Sequence, residues 1–249
     1  MNERNDIRKV DYGDYRTVEQ DGVLVDQQAG ARIFVNRVYN WMFCGLMLSS
    51  IAAWCVSPSV LGEQAYKTVL ALSLPLMIVE LLLVIVLSAA VKKLSAPVAG
   101  TLFIAYSVLN GVTLSPIFLM YTQTSIFLAF GSCALMFAAT STFGYMTGMK
   151  LDTIGSYCFM GLIGIVIASL VNLFLHSEML DYILSYVGIA VFVGLTAWDT
   201  QKMRMVGEAA GEEAQSDALR KVAILFALSL YLDFINLFLM LLRIFGRRR

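Results

Sequence analysis

Residues 222–242 read VAILFALSLYLDFINLFLMLL, a run of about twenty apolar residues broken by a single acid, Asp233. The run is long enough to cross a bilayer, and the acid falls near its middle. An ionised carboxylate at that depth costs at least ~2.5 kcal/mol, so such a residue faces other protein, a water-filled cavity or a cation rather than lipid. On a helix, Ser229, Asp233 and Asn236 recur at i, i+4 and i+7 and form one narrow polar stripe on an otherwise apolar rod. A rod of this kind belongs inside a bundle with its stripe turned inward.

The rest of the chain supplies the bundle. Of its 249 residues 59% are hydrophobic and only 14% charged, against roughly a quarter charged in soluble domains. The expected class is all-α, a polytopic membrane protein. Residues 1–31 are polar and mixed in charge and cannot bury enough surface to fold alone, so they are read as a mobile tail ahead of a membrane domain over residues 32–249. The amino terminus lacks an early apolar segment, so the first span is expected to act as the targeting signal. Six further spans are expected near residues 38–56, 69–91, 98–121, 126–146, 157–175 and 183–203. Pro75 falls in the second, and Pro116 should kink the third. Trp41 and Trp54 mark the ends of the first span, where indole rings favour the interface.

Gly144 and Gly148, four apart, point to close helix packing within one bundle more than to dimerisation, because small residues continue along the fourth span. Cys44, Cys55, Cys133 and Cys158 all fall in or beside apolar runs and read as small buried hydrophobes. The single histidine, His176, lies in a loop and reads as solvated. Ser216 is an N-cap candidate for the last helix, with Asp217 in its first turn.

Lys and Arg alternate between connections. Six lie in residues 1–37, two in the second connection, one in the fourth and four in the sixth, while the intervening connections hold only Lys67. The positive-inside rule therefore places the amino terminus in the cytoplasm. Seven complete spans would put the basic end RIFGRRR outside, which suggests either an incomplete or re-entrant last helix or a tail that tolerates the wrong side. The formal net charge is zero and there is no basic stripe, so nucleic acid is not an expected partner.

Three acids lie in or beside the spans: Glu80, Asp199 and Asp233. No partnered nucleophile, HExxH, P-loop, CxxC or dinucleotide fingerprint accompanies them, so an enzyme is not expected. Asp199 follows Trp198 near the end of span six, whereas Asp233 lies about 11 residues, or roughly 16 Å of helical rise, into the last span. They meet only if the last helix starts outside the bilayer or sits shallow. Two carboxylates that do meet cannot easily both ionise and so hold a proton, and once deprotonated they form a hard oxygen site suited to Ca²⁺. The alternative is a structural role, each acid satisfied by a neighbouring hydroxyl, amide or Lys.

Three segments carry a resemblance: ALSLYLDFINLFLMLLRIFG, GLTAWDTQKM and YSVLNGVTLSPIF. Together they resemble the Bax-inhibitor, or transmembrane BAX inhibitor motif, family from about Asn36 onward. The resemblance implies six helices around a central C-terminal seventh and a pH-sensitive calcium leak controlled by an aspartate pair. Asp199 occupies the acid of the WDTQ segment, Asp233 that of LYLDFIN, and Glu80 the acid of the second span. In bacterial relatives an arginine late in span two latches the pore through the acid of span six. Eleven residues beyond Glu80 this chain has Val91, followed by Lys92 and Lys93, and a lysine latch would lack the bidentate fork of arginine.

The sequence therefore leads to a bacterial inner-membrane protein whose Asp199 and Asp233 sense protons and bind a permeant Ca²⁺. Glu80, Ser229, Asn236, Lys92 and Lys93 are expected in support, and no cofactor is expected. The rival reading is an interaction protein that modulates a membrane-anchored protease without transport.

Overall fold

A computed structural model describes residues 27–90, 94–210 and 216–246. Ten helices occupy these segments: α1 (Gln27–Cys55), α2 (Pro58–Leu61), α3 (Glu63–Ala71), α4 (Ser73–Ala90), α5 (Ala96–Leu114), α6 (Ile117–Met120), α7 (Gln123–Met146), α8 (Asp152–Leu175), α9 (Glu178–Ala210) and α10 (Asp217–Phe245). Six apolar stretches are long enough to cross a membrane, α5 with α6 counting as one, and α4 is a shorter apolar helix. The protein is an all-α polytopic membrane protein, and α4 with these six spans makes a bundle of seven among the described residues.

The breaks fall where proline removes a backbone donor. Pro116 cannot bond the Val112 carbonyl, which accepts instead from Ser115 N–H at 3.2 Å, so α5 stops there and α6 restarts as one short turn. The third span is thus interrupted rather than merely kinked. Pro75 acts likewise in the second span. Leu72 closes α3 by donating to Thr68 and Val69 carbonyls, both at 3.1 Å, and α4 begins at Ser73. Side-chain caps start two helices: Thr122 Oγ1 accepts from Ser125 N–H at 3.3 Å, and Ser216 Oγ from Leu219 N–H at 3.3 Å.

At the centre stands α10, packed against α9, α1, α7 and α5. It is the most deeply buried of the spans, with Leu230, Tyr231 and Leu237 shut off completely. Aromatic rings wedge it on two sides. Phe103 and Tyr106 meet Tyr231 edge to face at 5.9 and 5.7 Å, and Phe130 and Phe137 meet Phe234, both at 5.5 Å. In contrast, α4 packs mainly on α5 and α8 mainly on α9, so both lie at the periphery. Gly144 of α7 rests against the Ala197 backbone of α9, where a Cβ would collide. That is packing within the bundle. Gly148 lies beyond α7 in open space.

Several sequence readings change. Residues 27–31, assigned to the tail, are helical, and Ala31 is fully buried against Gly207 of α9. Gly207 lets α9 approach the Ala31 backbone of α1 so closely that a Cβ there would collide, a contact that composition does not display. Because α1 begins so early, Trp41 is not at its end but inside, edge to face with Phe103 at 6.0 Å. Cys44 and Cys55 are exposed on the outside of the bundle, Cys133 is buried and Cys158 half-buried, and all four are free. An apolar run in a membrane helix has lipid-facing as well as buried positions, so apolar context alone does not imply burial. His176 caps α8 in the left-handed region at φ 50°. Finally, α10 is a continuous helix of 29 residues, long enough to cross a membrane. Its late Arg243 lies 3.7 Å from Asp181 in the first turn of α9, so a basic residue at that end has an acidic neighbour.

Candidate functional site

The helices α9 and α10 form an antiparallel hairpin whose register decides where the acids lie. Asp199 is 11 residues before the end of α9 at Ala210, and Asp233 is 16 residues after the start of α10 at Asp217. The offset of 5 residues corresponds to about 7.5 Å of rise. Ser229, one turn nearer the start of α10, therefore comes level with Asp199, and Asp233 comes level with Thr196. Side chains on a helix lean toward its N-terminus, which tilts the Asp233 carboxyl back toward Asp199. The continuation of α9 past Met203 brings the acids together, since the sequence reading had ended that helix seven residues too early.

Asp199 is 7% exposed and fully engaged. Its Oδ2 accepts from Ser229 Oγ at 2.5 Å, and its Oδ1 lies 3.1 Å from Lys202 Nζ, one turn along α9. The Lys202 ammonium also sits over the Trp198 ring, 3.4 Å from its centroid. Asp233 is 6% exposed, and its Oδ2 finds no hydrogen-bond partner among the described residues. The groups that bear on it are the Asp199 carboxyl, the Lys202 ammonium and the Thr196 hydroxyl. That hydroxyl already donates to the Phe192 carbonyl at 2.8 Å. One acid is thus anchored by a hydroxyl and a cation, while the other is held beside it with an oxygen to spare.

The segment Trp198–Asp199–Thr200–Gln201 ties α9 to four neighbours in one turn, because successive residues point 100° apart. Trp198 Nε1 donates to Asp152 of α8 at 3.0 Å, and Asp199 faces α10. Thr200 bonds Ser141 of α7 at 3.1 Å, and Ser141 in turn bonds the Tyr39 hydroxyl of α1. Gln201 holds the connection between α7 and α8, accepting from Leu151 N–H at 2.9 Å and donating to the Met149 carbonyl at 2.7 Å. Nearby, Arg204 donates to the Tyr145 carbonyl at the C-terminal end of α7 at 2.5 Å and pairs with Glu208 at 2.7 Å. The wall carrying Asp199 is fixed on every side.

Glu80 belongs to a separate network. Its Oε1 accepts from Thr113 at 2.6 Å and its Oε2 from the Asn110 amide at 3.3 Å, while Asn110 Oδ1 accepts from Tyr231 at 2.9 Å. The Tyr231 hydroxyl also meets Ser49 at 2.7 Å, which links α4, α5, α10 and α1 in one line of hydrogen bonds. Asn236 turns back on its own helix, donating to the Leu232 carbonyl at 2.8 Å, and does not join the acids. Val91, Lys92 and Lys93, and with them the lysine latch, lie outside the described residues.

Of the sequence-named residues, the fold brings together Asp199, Asp233 and Ser229, and leaves Glu80 and Asn236 apart. Lys202 and Thr196 were not singled out as partners. Lys202 stands three residues after Asp199, a spacing that pairs side chains on a helix and could have revealed it. Among the described residues there is no cluster of three or more His, Cys, Asp and Glu side chains. Two carboxylates with the Ser229 and Thr196 hydroxyls provide part of the six to eight oxygens that Ca²⁺ takes, so water would have to complete its shell.

The chain matches a family model described as "Inhibitor of apoptosis-promoting Bax1" over residues 31–249. It is 50% identical over 226 residues to "Inner membrane protein YbhL" of Escherichia coli strain K12, covering 91% of this chain and 96% of that protein. A protein of Borreliella burgdorferi is 38% identical over 237 residues, 94% of this chain and 97% of its own length. A membrane protein of Streptococcus pyogenes serotype M1 is 45% identical over 170 residues, 68% and 72% of the two chains.

Proposed function

The chain belongs to the Bax inhibitor family of membrane proteins, and from that premise we propose that it is a pH-sensitive leak for cations, Ca²⁺ in particular, in a bacterial inner membrane. The observation that carries the reading is the buried pair on α9 and α10: Asp233, with a carboxyl oxygen left unpartnered, beside an Asp199 held by Ser229 and Lys202. A lone buried carboxyl that only held helices together would have its oxygens satisfied. Here one oxygen is available to a proton or a passing cation. With the pair protonated its oxygens offer a cation no anionic site, and with it deprotonated they offer a hard one that Lys202 offsets in part, so protons and Ca²⁺ compete for the same oxygens.

In this arrangement Lys202 is the cation that balances Asp199. We assign it the part that the family resemblance gives to a basic residue late in span two. The amino terminus is placed in the cytoplasm, the side on which the Lys- and Arg-rich connections gather.

Flux through liposomes containing only the purified protein tests the reading. Ca²⁺ entry, measured from roughly pH 5 to 8, should change with pH if the pair takes up a proton. Asp199→Asn and Asp233→Asn should each weaken that variation. Absence of flux at every pH would instead favour the interaction protein that modulates a membrane-anchored protease. Wild-type pH dependence retained in both single mutants and in the double mutant would eliminate the sensing pair.

A further inference from the structure

Against the second half of α10 the packing of the described helices is not closed. There the C-terminal end of α1, the turn α6 and the first two turns of α7 stand apart around a cleft of about 630 Å³. Its floor is Phe234, Ile235 and Phe238, all buried, and its walls are apolar apart from a few hydroxyls and one amide. The deeper hydroxyls are already committed: Ser49 donates to the Gly45 or Ser107 carbonyl and meets Tyr231, and Ser50 donates to the Leu46 carbonyl at 2.8 Å. Among the described residues no charged side chain lines the cleft. Water inside would therefore find few partners, whereas hydrocarbon would fit, and the volume lies in the range of small-molecule sites, about 300 to 1,000 Å³.

The mouth indicates where that hydrocarbon comes from. Trp54 and Phe127 line the cleft and are also 61% and 76% exposed on the outside of the bundle, as is Leu119 in part. The lining is thus continuous with the surface that already contacts lipid. At the end where α1 gives way to α2, the exposed Ser59, backed by the buried Ser57 3.0 Å away, and the exposed Gln123 provide a polar rim at which a head group would rest. We propose that the cleft seats one acyl chain of a bilayer phospholipid, entering sideways past Trp54 and Phe127 and lying on Phe234 and Ile235, the residues that follow Asp233. A chain in that position fills the gap between α1 and α7 and screens the central helix beside the acids from water. The inference rests on the membrane placement of the helices and not on the leak.

The test uses full-length protein in phosphatidylglycerol and phosphatidylcholine nanodiscs, doped with a phospholipid carrying a diazirine at its chain end. Adducts are mapped by mass spectrometry after illumination. Adducts are expected on Phe234, Ile235 or Phe238, which a lipid resting on the outside cannot reach, as well as on the exposed face of α8. Filling the cleft with Ser50→Phe, or blocking its mouth with Leu119→Trp, should abolish floor adducts while leaving those on α8. Labelled α8 without floor adducts would overturn the proposal, as would floor adducts that persist in both variants. Floor labelling by a free diazirine fatty acid but not by the phospholipid would overturn the assignment to a bilayer lipid.

Discussion

Replacing Asp233 by Leu should make the protein more stable while removing pH-dependent flux. In the native bundle this carboxyl has an oxygen shut away without a hydrogen bond, next to a like charge at Asp199. An unsatisfied buried polar group costs about 1–3 kcal/mol, and exchange for an apolar side chain of similar size removes that cost. Nothing is stranded by the change: Thr196 keeps the Phe192 carbonyl, and Asp199 keeps Ser229 and Lys202. The expected gain of about 1–3 kcal/mol corresponds to a rise of roughly 2–12 °C in Tm for a chain of this size. Asp233→Asn, which retains a buried polar group, should move Tm much less. Thermal unfolding of detergent-purified protein, followed by tryptophan fluorescence, measures both. A Tm for Asp233→Leu below wild type by several degrees would refute the reasoning, because it would mean that the oxygen is met in the native state by a water or cation of real energetic weight.

Two further outcomes follow from packing. Gly144→Leu drives a side chain into the Ala197 backbone and should cost at least ~1–3 kcal/mol, read as a lower Tm or as loss of the monodisperse peak in gel filtration. Deletion of residues 1–26 should leave Tm unchanged, whereas deletion through Ala31 should lower it, because Ala31 and Phe34 close the contact with Gly207.

Much of this architecture was legible because a bilayer simplifies the signal. Spans declare themselves by length and hydropathy, Pro75 and Pro116 by the donor they lack, and Ser216 by its position before an apolar run. What could not be read was which side of each apolar helix faces lipid. Cys44 and Cys133 sit in equally greasy contexts, yet one is exposed and the other buried, and only the placement of neighbouring helices distinguishes them. The meeting of Asp199 and Asp233 was obscured for a different reason. A polar, acidic segment looks like a loop, but Gly207 and Ala31 let α9 continue beside α1 to Ala210, and that extension sets the register of the hairpin. Small residues carry packing information that their own hydropathy does not show.

The central helix carries its polar groups on two opposed seams. Ser229 and Asp233, four residues apart, share the face toward α9. Tyr231 lies midway between them and so points the other way, toward Asn110 of α5 and Ser49 of α1. Glu80 stands on the Tyr231 side, joined to it through Asn110. The helix diameter separates the seams by about 10 Å, a distance at which mutational effects usually add to within ~0.5 kcal/mol. Tyr231→Phe removes the hydroxyl that Asn110 and Ser49 share and should cost about 1–3 kcal/mol, and this loss should be the same in the presence and absence of Asp233→Asn. Across one seam the outcome differs: Ser229→Ala and Asp199→Ala remove the donor and the acceptor of one hydrogen bond, so their combined effect should fall short of the sum. A double-mutant cycle in Tm-derived stability separates the cases. Strong coupling between Tyr231 and Asp233 would mean that the Glu80 network and the aspartate pair form one site rather than two.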